Sequence, residues 1–366
     1  LVSFLVGAFR GKAWSYMNKM VGVSCLQPDP DFQLMRDAGI GWVRAFVPFP
    51  FADASCTTLS DRYIASRKKI DTWIGNGFHV TGVTMSYGMM YASKGSRSLQ
   101  FRRFIPDWVG SVDSEEFYQT LEKAFGYAAK DLAGRVDSFQ IANEMDITRF
   151  RGEMTQEQAC KFMYHTAKGI KRENPRAAVY INTSCMTNPE STYFYETLYS
   201  PDCDVYFDWA GVDYYFGSHH PGTPYDWPGM IDRIYSITKR PILVAEWGYS
   251  SIGDYLTDGW GPEPNKAPNE NGEFPVCARG AWAYAWKGAH NQQIQAEYFE
   301  VALRQFFEND KVIGFFEYDW KDDPVCFCGR ENCPHECGWG MIDRNGKPKP
   351  AYYTFQRIVR QYEARG

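Results

Sequence analysis

Several features that mark large protein classes are missing from this 366-residue sequence. The net charge is −5 and the chain contains no basic run, which argues against a nucleic-acid partner. No apolar run approaches the ~18 residues that a membrane-spanning helix needs, so no membrane partner is expected. Internal repeats, low-complexity stretches and linkers are also missing, which favours a single domain over residues 1–366.

A glycine-rich phosphate-binding turn is missing as well. A doubly wound sheet normally carries such a turn after an early strand, whereas the first apolar segment here continues as Val21-Gly-Val-Ser-Cys-Leu. This absence disfavours the doubly wound alternative. The chain also begins with Leu1 instead of Met, which predicts that an upstream segment precedes it.

Short apolar segments alternate with amphipathic segments along the chain. Eight apolar segments are mostly continuous runs of Val, Ile and Phe, which is the pattern of parallel strands covered on both faces. The predicted strands are 20–25, 42–46, 80–85, 138–143, 178–183, 209–215, 241–246 and 312–319. The predicted helices are 31–38, 114–132, 155–173, 192–199, 292–307 and 351–362. This alternation predicts an α/β fold, a single (β/α)8 TIM barrel.

Four long loops are predicted at about 48–63, 87–112, 250–291 and 321–339. They account for the length beyond the roughly 250 residues that are typical of such a barrel. Each loop follows a predicted strand, so all four are expected on the C-terminal face, where barrel enzymes hold their active sites.

Two glutamates stand at the ends of apolar, strand-like segments. Glu144 closes Phe139-Gln-Ile-Ala-Asn-Glu, and Glu246 closes Ile242-Leu-Val-Ala-Glu. A carboxylate is costly in a hydrophobic segment unless the site uses it, so we interpret the two as a pair that faces one pocket. The alternative is structural, with Glu144 as a charge at a helix N-terminus and Glu246 as a buried ion-pair partner.

The arrangement of polar residues at predicted strand ends resembles a known class of enzymes. That class is the retaining glycoside hydrolases of the large (β/α)8-barrel clan, clan A type, which carry catalytic glutamates at the ends of strands four and seven. The resemblance covers nearly the whole chain, includes the segment 340–353, and does not assign a family within the clan. The residues that carry it are Arg44, Asn143, Glu144, Tyr215, Glu246 and Trp320.

The resemblance implies cleavage of β-glycosidic bonds by double displacement, with Glu144 as the general acid/base and Glu246 as the nucleophile. Two carboxyl groups about 5–5.5 Å apart suit these roles, because one can protonate the leaving oxygen while the other attacks the anomeric carbon. Asn143 is implied to bind the 2-hydroxyl of the sugar. The alternative for Asn143 is a helix cap or a turn-forming residue.

Further substrate-binding and supporting roles follow from the same resemblance. Arg44 is implied to keep Glu246 ionised and oriented, since an always-charged guanidinium suits a carboxylate. Tyr215 is implied to hydrogen-bond Glu246 as well. Trp320 is implied to form the floor under the bound sugar, with packing in the core as its alternative.

One departure from the clan's pattern leaves two assignments open. Asp213 stands two residues before Tyr215, where the clan often has His or Asn, so Tyr214 is the alternative to Tyr215. Tyr318 is likewise the alternative to Trp320 if the eighth strand is read two residues out of register. A third acid beside the glutamate pair can also shift their titration.

Cysteine supplies a second signal, because four of the ten cysteines crowd into one short segment with the spacing C-x-C-x4-C-x3-C: Cys326, Cys328, Cys333 and Cys337. Four thiolates can bind zinc tetrahedrally, and such a closed site is structural because no position is left for water. Two local disulfides are the alternative in a secreted protein. Cys25 and Cys185 look like ordinary buried thiols, which favours a cytoplasmic compartment and a structural zinc. No cofactor is expected for catalysis.

We therefore favour a retaining β-glycosidase whose partner is a carbohydrate substrate. The segment 250–291 could wall off one end of a cleft, which favours exo action; its aromatic residues include Trp260, Trp282, Tyr284 and Trp286. The alternatives are an endo-β-glycanase on a plant or microbial polysaccharide, a sugar-binding barrel without catalysis, and a zinc-dependent hydrolase that uses the cysteine segment. The sugar and the oligomeric state stay open.

Overall fold

The computed structural model describes residues 19–24, 30–92, 99–184, 189–257 and 275–365. Within this part of the chain, eight parallel strands form one sheet. They are β1 (Met20–Ser24), β2 (Trp42–Val47), β3 (His79–Thr84), β4 (Val136–Gln140), β5 (Ala178–Tyr180), β6 (Ala210–Asp213), β7 (Ile242–Trp247) and β8 (Val312–Glu317). The main helices are α1 (Phe32–Asp37), α2 (Asp61–Gly75), α3 (Glu115–Asp131), α4 (Gln156–Glu173), α5 (Pro189–Leu198), α6 (Trp227–Thr238), α7 (Gln292–Glu308) and α8 (Pro350–Glu363).

The sheet closes into a barrel. The strand order is β5-β4-β3-β2-β1-β8-β7-β6, and the neighbouring strands pair in parallel. The two end strands meet through backbone bonds, since Gly211 N donates to Ile181 O at 2.7 Å and Asp213 N donates to Thr183 O at 2.9 Å. The predicted (β/α)8 barrel is confirmed, with one of the eight main helices after each strand.

The strands and helices form where the sequence supplies the appropriate local signals. β8 is buried along its whole length, as expected for a parallel strand covered on both faces. Ser114 caps α3 by accepting a hydrogen bond from Phe117 N, and Thr155 with Gln158 forms a capping box at the start of α4. These caps satisfy backbone N–H groups that have no partner within the helix.

Two of the eight main helices, α2 and α6, are absent from the sequence prediction. α2 buries only Tyr63, Ile70 and Trp73 among its fifteen residues, so its apolar stripe is weak. It begins at Asp61 and therefore takes up the end of the predicted loop 48–63. α6 carries Pro228 and Gly229 in its first turn, and these residue types usually mark loops.

The long loops after the strands contain secondary structure of their own. A β-hairpin, Gly88–Ala92 with Leu99–Arg103, lies in the predicted loop 87–112, and a short helix, Pro275–Arg279, lies in 250–291. Trp260 and the rest of 258–274 lie outside the described residues, as do 93–98 and residues 1–18 of the predicted domain. None of the helices in the described ranges is both long and apolar enough to traverse a bilayer.

Candidate active site

The barrel brings the two predicted catalytic glutamates together at the C-terminal ends of β4 and β7. Glu144 follows the end of β4, and Glu246 is the penultimate residue of β7. One carboxylate oxygen each of Glu144, Glu246 and Asp213 lies within 4.8 Å of the others. Oxygens this close are compatible with the separation of about 5–5.5 Å between carboxyl groups in retaining glycosidases, and they are closer than the roughly 6.5–9.5 Å of inverting ones.

Two donors occupy the oxygens of Glu246. Arg44 on β2 forms an ion pair with Oε1, and Tyr215 after β6 donates its hydroxyl to Oε2 at 2.5 Å. Both side chains of the ion pair are largely buried, so solvent screens their attraction only weakly. Glu246 is therefore held in one orientation. Tyr214, the alternative to Tyr215, instead stacks on His220 with ring centroids 3.8 Å apart.

Arg44 connects the two glutamate-bearing strands. Its Nη1 donates to Ser24 Oγ at 3.1 Å in addition to Glu246, and its Nη2 donates to Gln140 Oε1 at 2.9 Å and to Asn143 Oδ1 at 3.1 Å. The planar guanidinium group can satisfy several acceptors at fixed angles, which lysine cannot do. Burial opposes the charge on Arg44, but the Glu246 carboxylate raises its pKa, so it stays a cation.

Three donors converge on the side-chain oxygen of Asn143. Arg44 Nη2, Gln140 Nε2 and Asn182 Nδ2 reach Asn143 Oδ1 at 3.1, 3.0 and 3.0 Å. Because Oδ1 accepts all three bonds, the amide is oriented with its NH2 group directed away from the donors. That orientation suits donation to a substrate hydroxyl. Sequence reasoning missed Gln140 and Asn182, whose only signal is their place at the ends of β4 and β5.

Glu144 sits in a strained and buried position. Its φ of +43° lies in the left-handed region, and its backbone N–H donates to Asn182 Oδ1 at 3.0 Å. The residue is 8% exposed. Burial, together with the charges of Glu246 and Asp146, raises the pKa of Glu144 well above its usual value, although Arg149 and Arg44 act in the opposite direction. The raised pKa favours the protonated form of Glu144.

Asp213 lies behind the glutamate pair. It is fully buried at the end of β6, and its Oδ2 accepts a hydrogen bond from Asn182 Nδ2 at 2.5 Å. Burial and the neighbouring Glu246 raise the pKa of Asp213 well above its usual value, which favours the neutral acid at the position where the sequence departs from the clan's pattern. Asp213 has no exposed surface, and it contacts the site through Asn182, which also donates to Asn143.

The sugar-platform prediction for Trp320 needs correction. The Trp320 ring is 2% exposed and packs in the core against Tyr352 of α8, so it offers no face on which a sugar could stack. Tyr318, the alternative two residues earlier, is half-buried and lies 6.1 Å from the Tyr215 ring. The structure therefore favours Tyr318, directly after β8, as the aromatic residue that faces the site.

A buried ion pair that sequence reasoning missed lies beside Glu144. Arg149, in the short helix Thr148–Arg151 after β4, pairs with Glu336 at 3.3 Å. Glu336 also accepts a hydrogen bond from the Tyr318 hydroxyl at 2.7 Å. Because Glu336 lies in the loop after β8, it links that loop to the acid/base side of the site.

A group of cysteines forms next to this ion pair, with one member different from the predicted set. The Sγ atoms of Cys277, Cys326, Cys328 and Cys333 lie within 4.8 Å of one another, and Cys337 is not part of this group. Sequence spacing could not identify Cys277, because it precedes Cys326 by 49 residues. The four thiols are a donor set that suits a metal ion. Cys25 and Cys185 lie outside the described residues.

Comparisons with known proteins depend on structure alone, since no family model and no curated protein sequence matches the chain. The Ignisphaera aggregans GH53 catalytic domain superimposes with a TM-score of 0.63 at 18% identity, over 94% of this chain and 96% of its own. Xylanase B from Clostridium stercorarium F9 superimposes with a TM-score of 0.63 at 11% identity, over 94% of this chain and 98% of its own. A GH5 protein from Streptomyces cattleya in complex with Manb1-4GlcNAc superimposes with a TM-score of 0.62 at 12% identity, over 95% of this chain and 82% of its own.

These neighbours establish the fold. The chain has the (β/α)8 barrel of GH53 and GH5 glycoside hydrolases, in agreement with the clan that its strand-end residues resemble. At such low identities the likeness does not assign a family, and the roles of individual residues depend on the geometry described above.

Proposed function

We propose that the protein is a retaining glycoside hydrolase that cleaves β-glycosidic bonds, with Glu144 as the general acid/base and Glu246 as the nucleophile. The observation that carries the proposal is the contrast within one carboxyl pair. Glu144 is buried with a raised pKa, whereas Glu246 receives the charge of Arg44 and the hydroxyl of Tyr215. Two carboxyl groups in such different environments can act as acid and nucleophile at the same pH.

In the first proposed step, Glu144 protonates the glycosidic oxygen as the bond to the anomeric carbon breaks. Glu246 attacks that carbon from the opposite face and forms a covalent glycosyl-enzyme intermediate. The Asn143 amide is placed to donate to the 2-hydroxyl, a bond that strengthens as positive charge develops on the ring. Tyr318 supplies the aromatic surface beside the reacting sugar.

In the second proposed step, Glu144 is a carboxylate and accepts a proton from water. The resulting nucleophile attacks the anomeric carbon and releases Glu246, so two inversions give net retention. Arg44 and Tyr215 stabilise Glu246 again as its negative charge returns. The chemical steps use only the carboxyl pair and water, so the proposed reaction involves no metal or organic cofactor.

For the substrate, we propose a β-linked carbohydrate that is trimmed by exo action. This part of the proposal depends on the length of the segment after β7, which can close one end of a cleft, whereas its buried Trp282 and Trp286 stabilise the loop itself. The second candidate is an endo-β-glycanase. It is supported by the names of structural neighbours that cover nearly the whole chain, a xylanase and two fungal β-1,4-galactanases.

The test uses a panel of nitrophenyl β-glycosides with wild type, Glu246→Ala and Glu144→Ala, each with and without azide. We expect wild-type turnover, loss of activity in both variants, an α-glycosyl azide from Glu246→Ala and a β-glycosyl azide from Glu144→Ala. The opposite configurations separate the two roles. Azide replaces the nucleophile in Glu246→Ala, whereas it replaces the activated water in Glu144→Ala. Circular dichroism shows whether each variant is folded.

Full activity of Glu246→Ala would exclude this assignment. If wild type cleaves no monosaccharide glycoside, β-linked oligosaccharides of increasing length come next. Internal cleavage of those chains would identify the endo-acting alternative, and binding without cleavage would identify a sugar-binding barrel.

A further inference from the structure

We propose that Cys277, Cys326, Cys328 and Cys333 together bind one zinc ion as thiolates. This site joins the loop after β7 to the loop after β8 and has a structural role. The inference is independent of the proposed glycosidase chemistry, since it concerns a separate group of side chains.

The positions of the four sulfur atoms fit tetrahedral coordination. All four Sγ atoms lie within 4.8 Å of one another, and Cys277 Sγ is 3.9 Å from Cys326 Sγ. A zinc–sulfur distance of about 2.3 Å corresponds to a separation of about 3.8 Å between sulfur atoms at tetrahedral angles. A disulfide between these two cysteines would require roughly 2.05 Å. The observed separation therefore suits a shared ion better than a covalent bond.

The local backbone presents three of these thiols on a tight hairpin. Cys326 N donates to Arg330 O at 3.0 Å, and Gly329 N donates to Cys326 O at 2.8 Å. The hairpin needs left-handed backbone at Gly329, with φ of +79°, and at Asn332, with φ of +57°. Backbone hydrogen bonds therefore form the turn that carries Cys326 and Cys328, and Cys333 directly follows Asn332.

The fourth thiol comes from the preceding loop. Cys277 lies in the short helix Pro275–Arg279, and Arg330 of the hairpin donates to the Cys277 carbonyl oxygen. His335 Nδ1 lies 3.3 Å from Cys277 Sγ. A hydrogen bond from an imidazole to a coordinating atom is a common way to orient a metal ligand. The hydrogen bond from Arg330 thus holds Cys277, which belongs to a different loop, against the hairpin.

The group is shielded from solvent, as a closed structural metal site requires. The four cysteines are between 1% and 6% exposed, so solvent has little access to them. Zinc binding would release the thiol protons to solvent and replace weak S–H donors by four zinc–sulfur bonds. Cys337 is equally buried, but it lies outside the group of four, and its Sγ is 4.0 Å from Arg330 O. Cys337 therefore provides a matched control.

The metal would also hold the segment that carries Glu336. Glu336 follows Cys333 by three residues and pairs with Arg149 beside the acid/base candidate. Phe327, between two of the ligands, lies under the Arg149 guanidinium at 4.1 Å. A site that joins the two loops would therefore stabilise the wall of the pocket. This consequence depends on the proposed function, whereas metal binding does not.

The test measures zinc in protein purified in reducing buffer without added metal. Elemental analysis is expected to give one zinc per chain in wild type and in Cys337→Ser, and none in Cys277→Ser. The zinc X-ray absorption spectrum of wild type is expected to show four sulfur ligands at about 2.3 Å. This second measurement needs no variant, so a folding defect in Cys277→Ser leaves the proposal testable.

Three results would overturn the proposal. Wild type without zinc and with disulfide-linked peptides in this region would replace it by the disulfide alternative. A spectrum with fewer than four sulfur ligands would exclude the four-thiolate site. Loss of zinc in Cys337→Ser with retention in Cys277→Ser would return the ligand set to the cysteines of the hairpin segment alone.

Discussion

The glutamate pair and the cysteine group are both buried sets of polar side chains near the C-terminal face of the same barrel, and they are held in different ways. Glu144 and Glu246 are placed by the ends of β4 and β7 in a closed sheet, where each strand end has a fixed place in the ring. The cysteines are brought together by two loops, and one of them, Cys277, comes from 49 residues upstream of the next. Positions on strands follow from strand order, whereas positions on loops follow from contacts between loops.

The comparison also concerns charge. At the glutamate pair, the buried cation of Arg44 balances the charge of Glu246, so removal of one partner leaves an uncompensated charge in the interior. In the cysteine group, the proposed metal would supply the balance. Removal of one charged partner should therefore lower the free energy of unfolding most at the glutamate pair. The following experiments test that ranking, from the largest expected effect to the smallest.

The largest effect is expected from Arg44→Met. It leaves Glu246 buried without its cation, which should lower the free energy of unfolding by about 3–5 kcal/mol and abolish turnover. Urea denaturation and nitrophenyl glycoside hydrolysis measure the two losses. The double variant Arg44→Met with Glu246→Gln should regain much of the stability but none of the activity. No recovery in the double variant would contradict the charge-balance explanation.

Glu144→Gln should lower kcat roughly 10²–10⁴-fold, because the proposed general acid is lost. The loss should be smallest for aryl glycosides with very acidic leaving groups, which need little protonation. The raised folded-state pKa of Glu144 contributes stability that is present below its unfolded pKa and disappears as pH rises through the folded pKa. Glu144→Gln should remove that decline, so the variant should be more stable than wild type at high pH. Thermal unfolding at a series of pH values checks this sign.

Chelation of zinc should lower the midpoint of thermal unfolding while the enzyme stays active at low temperature. The reason is that the proposed metal holds two loops together and takes no part in bond cleavage. Scanning calorimetry with and without a strong chelator measures the shift, and Cys337→Ser should show the same shift as wild type. If chelation abolished hydrolysis at once while the protein stayed folded, the result would instead support the zinc-dependent hydrolase alternative.

A more modest effect is expected where the two regions meet. Arg149 lowers the pKa of Glu144, so Arg149→Met should raise that pKa and move the basic limb of the kcat/KM profile to higher pH. Glu336→Gln should move the limb to lower pH, because it removes the carboxylate that pairs with Arg149. Shifts of both variants in one direction would show that Arg149 does not act on Glu144 through its charge.

The smallest effect is expected from Ser114→Ala, which removes the N-cap of α3 without altering either region. The loss in free energy of unfolding should be about 1 kcal/mol, with kcat and zinc content unchanged. Urea denaturation and the activity assay provide the measurements. This variant gives the baseline for a purely structural change, and any reduction in zinc content would show that general destabilisation alone releases the metal.

Much of the site could be predicted because it lies on or directly after strands. Glu144, Glu246, Arg44 and Tyr215 each follow a short apolar run, and the order of the runs places them around one face. The aromatic residue at the end of the eighth strand was harder to predict, since the sequence allows either Tyr318 or Trp320 to face the site. Packing of Trp320 against Tyr352 decides between them, and that contact involves a helix far along the chain.

Other members of the site carry no recognisable local signal. Gln140 and Asn182 are ordinary polar residues in the sequence, and only the closed sheet brings their amides to Asn143. Glu336 gains its importance from Arg149, a residue 187 positions away. Such long-range pairs arise from loop contacts, for which apolar periodicity provides no information.

The sequence alone determined the barrel, the strand ends and the presence of paired acids and clustered thiols, because alternation of apolar and amphipathic segments sets the element order and hence the ring of strand ends. The tertiary structure decided which oxygen each donor reaches, which aromatic residue faces the pocket, and which cysteine completes the group of four. The physical reason is that these choices depend on distances of a few ångströms between segments that are remote in the chain, and side-chain packing alone sets such distances.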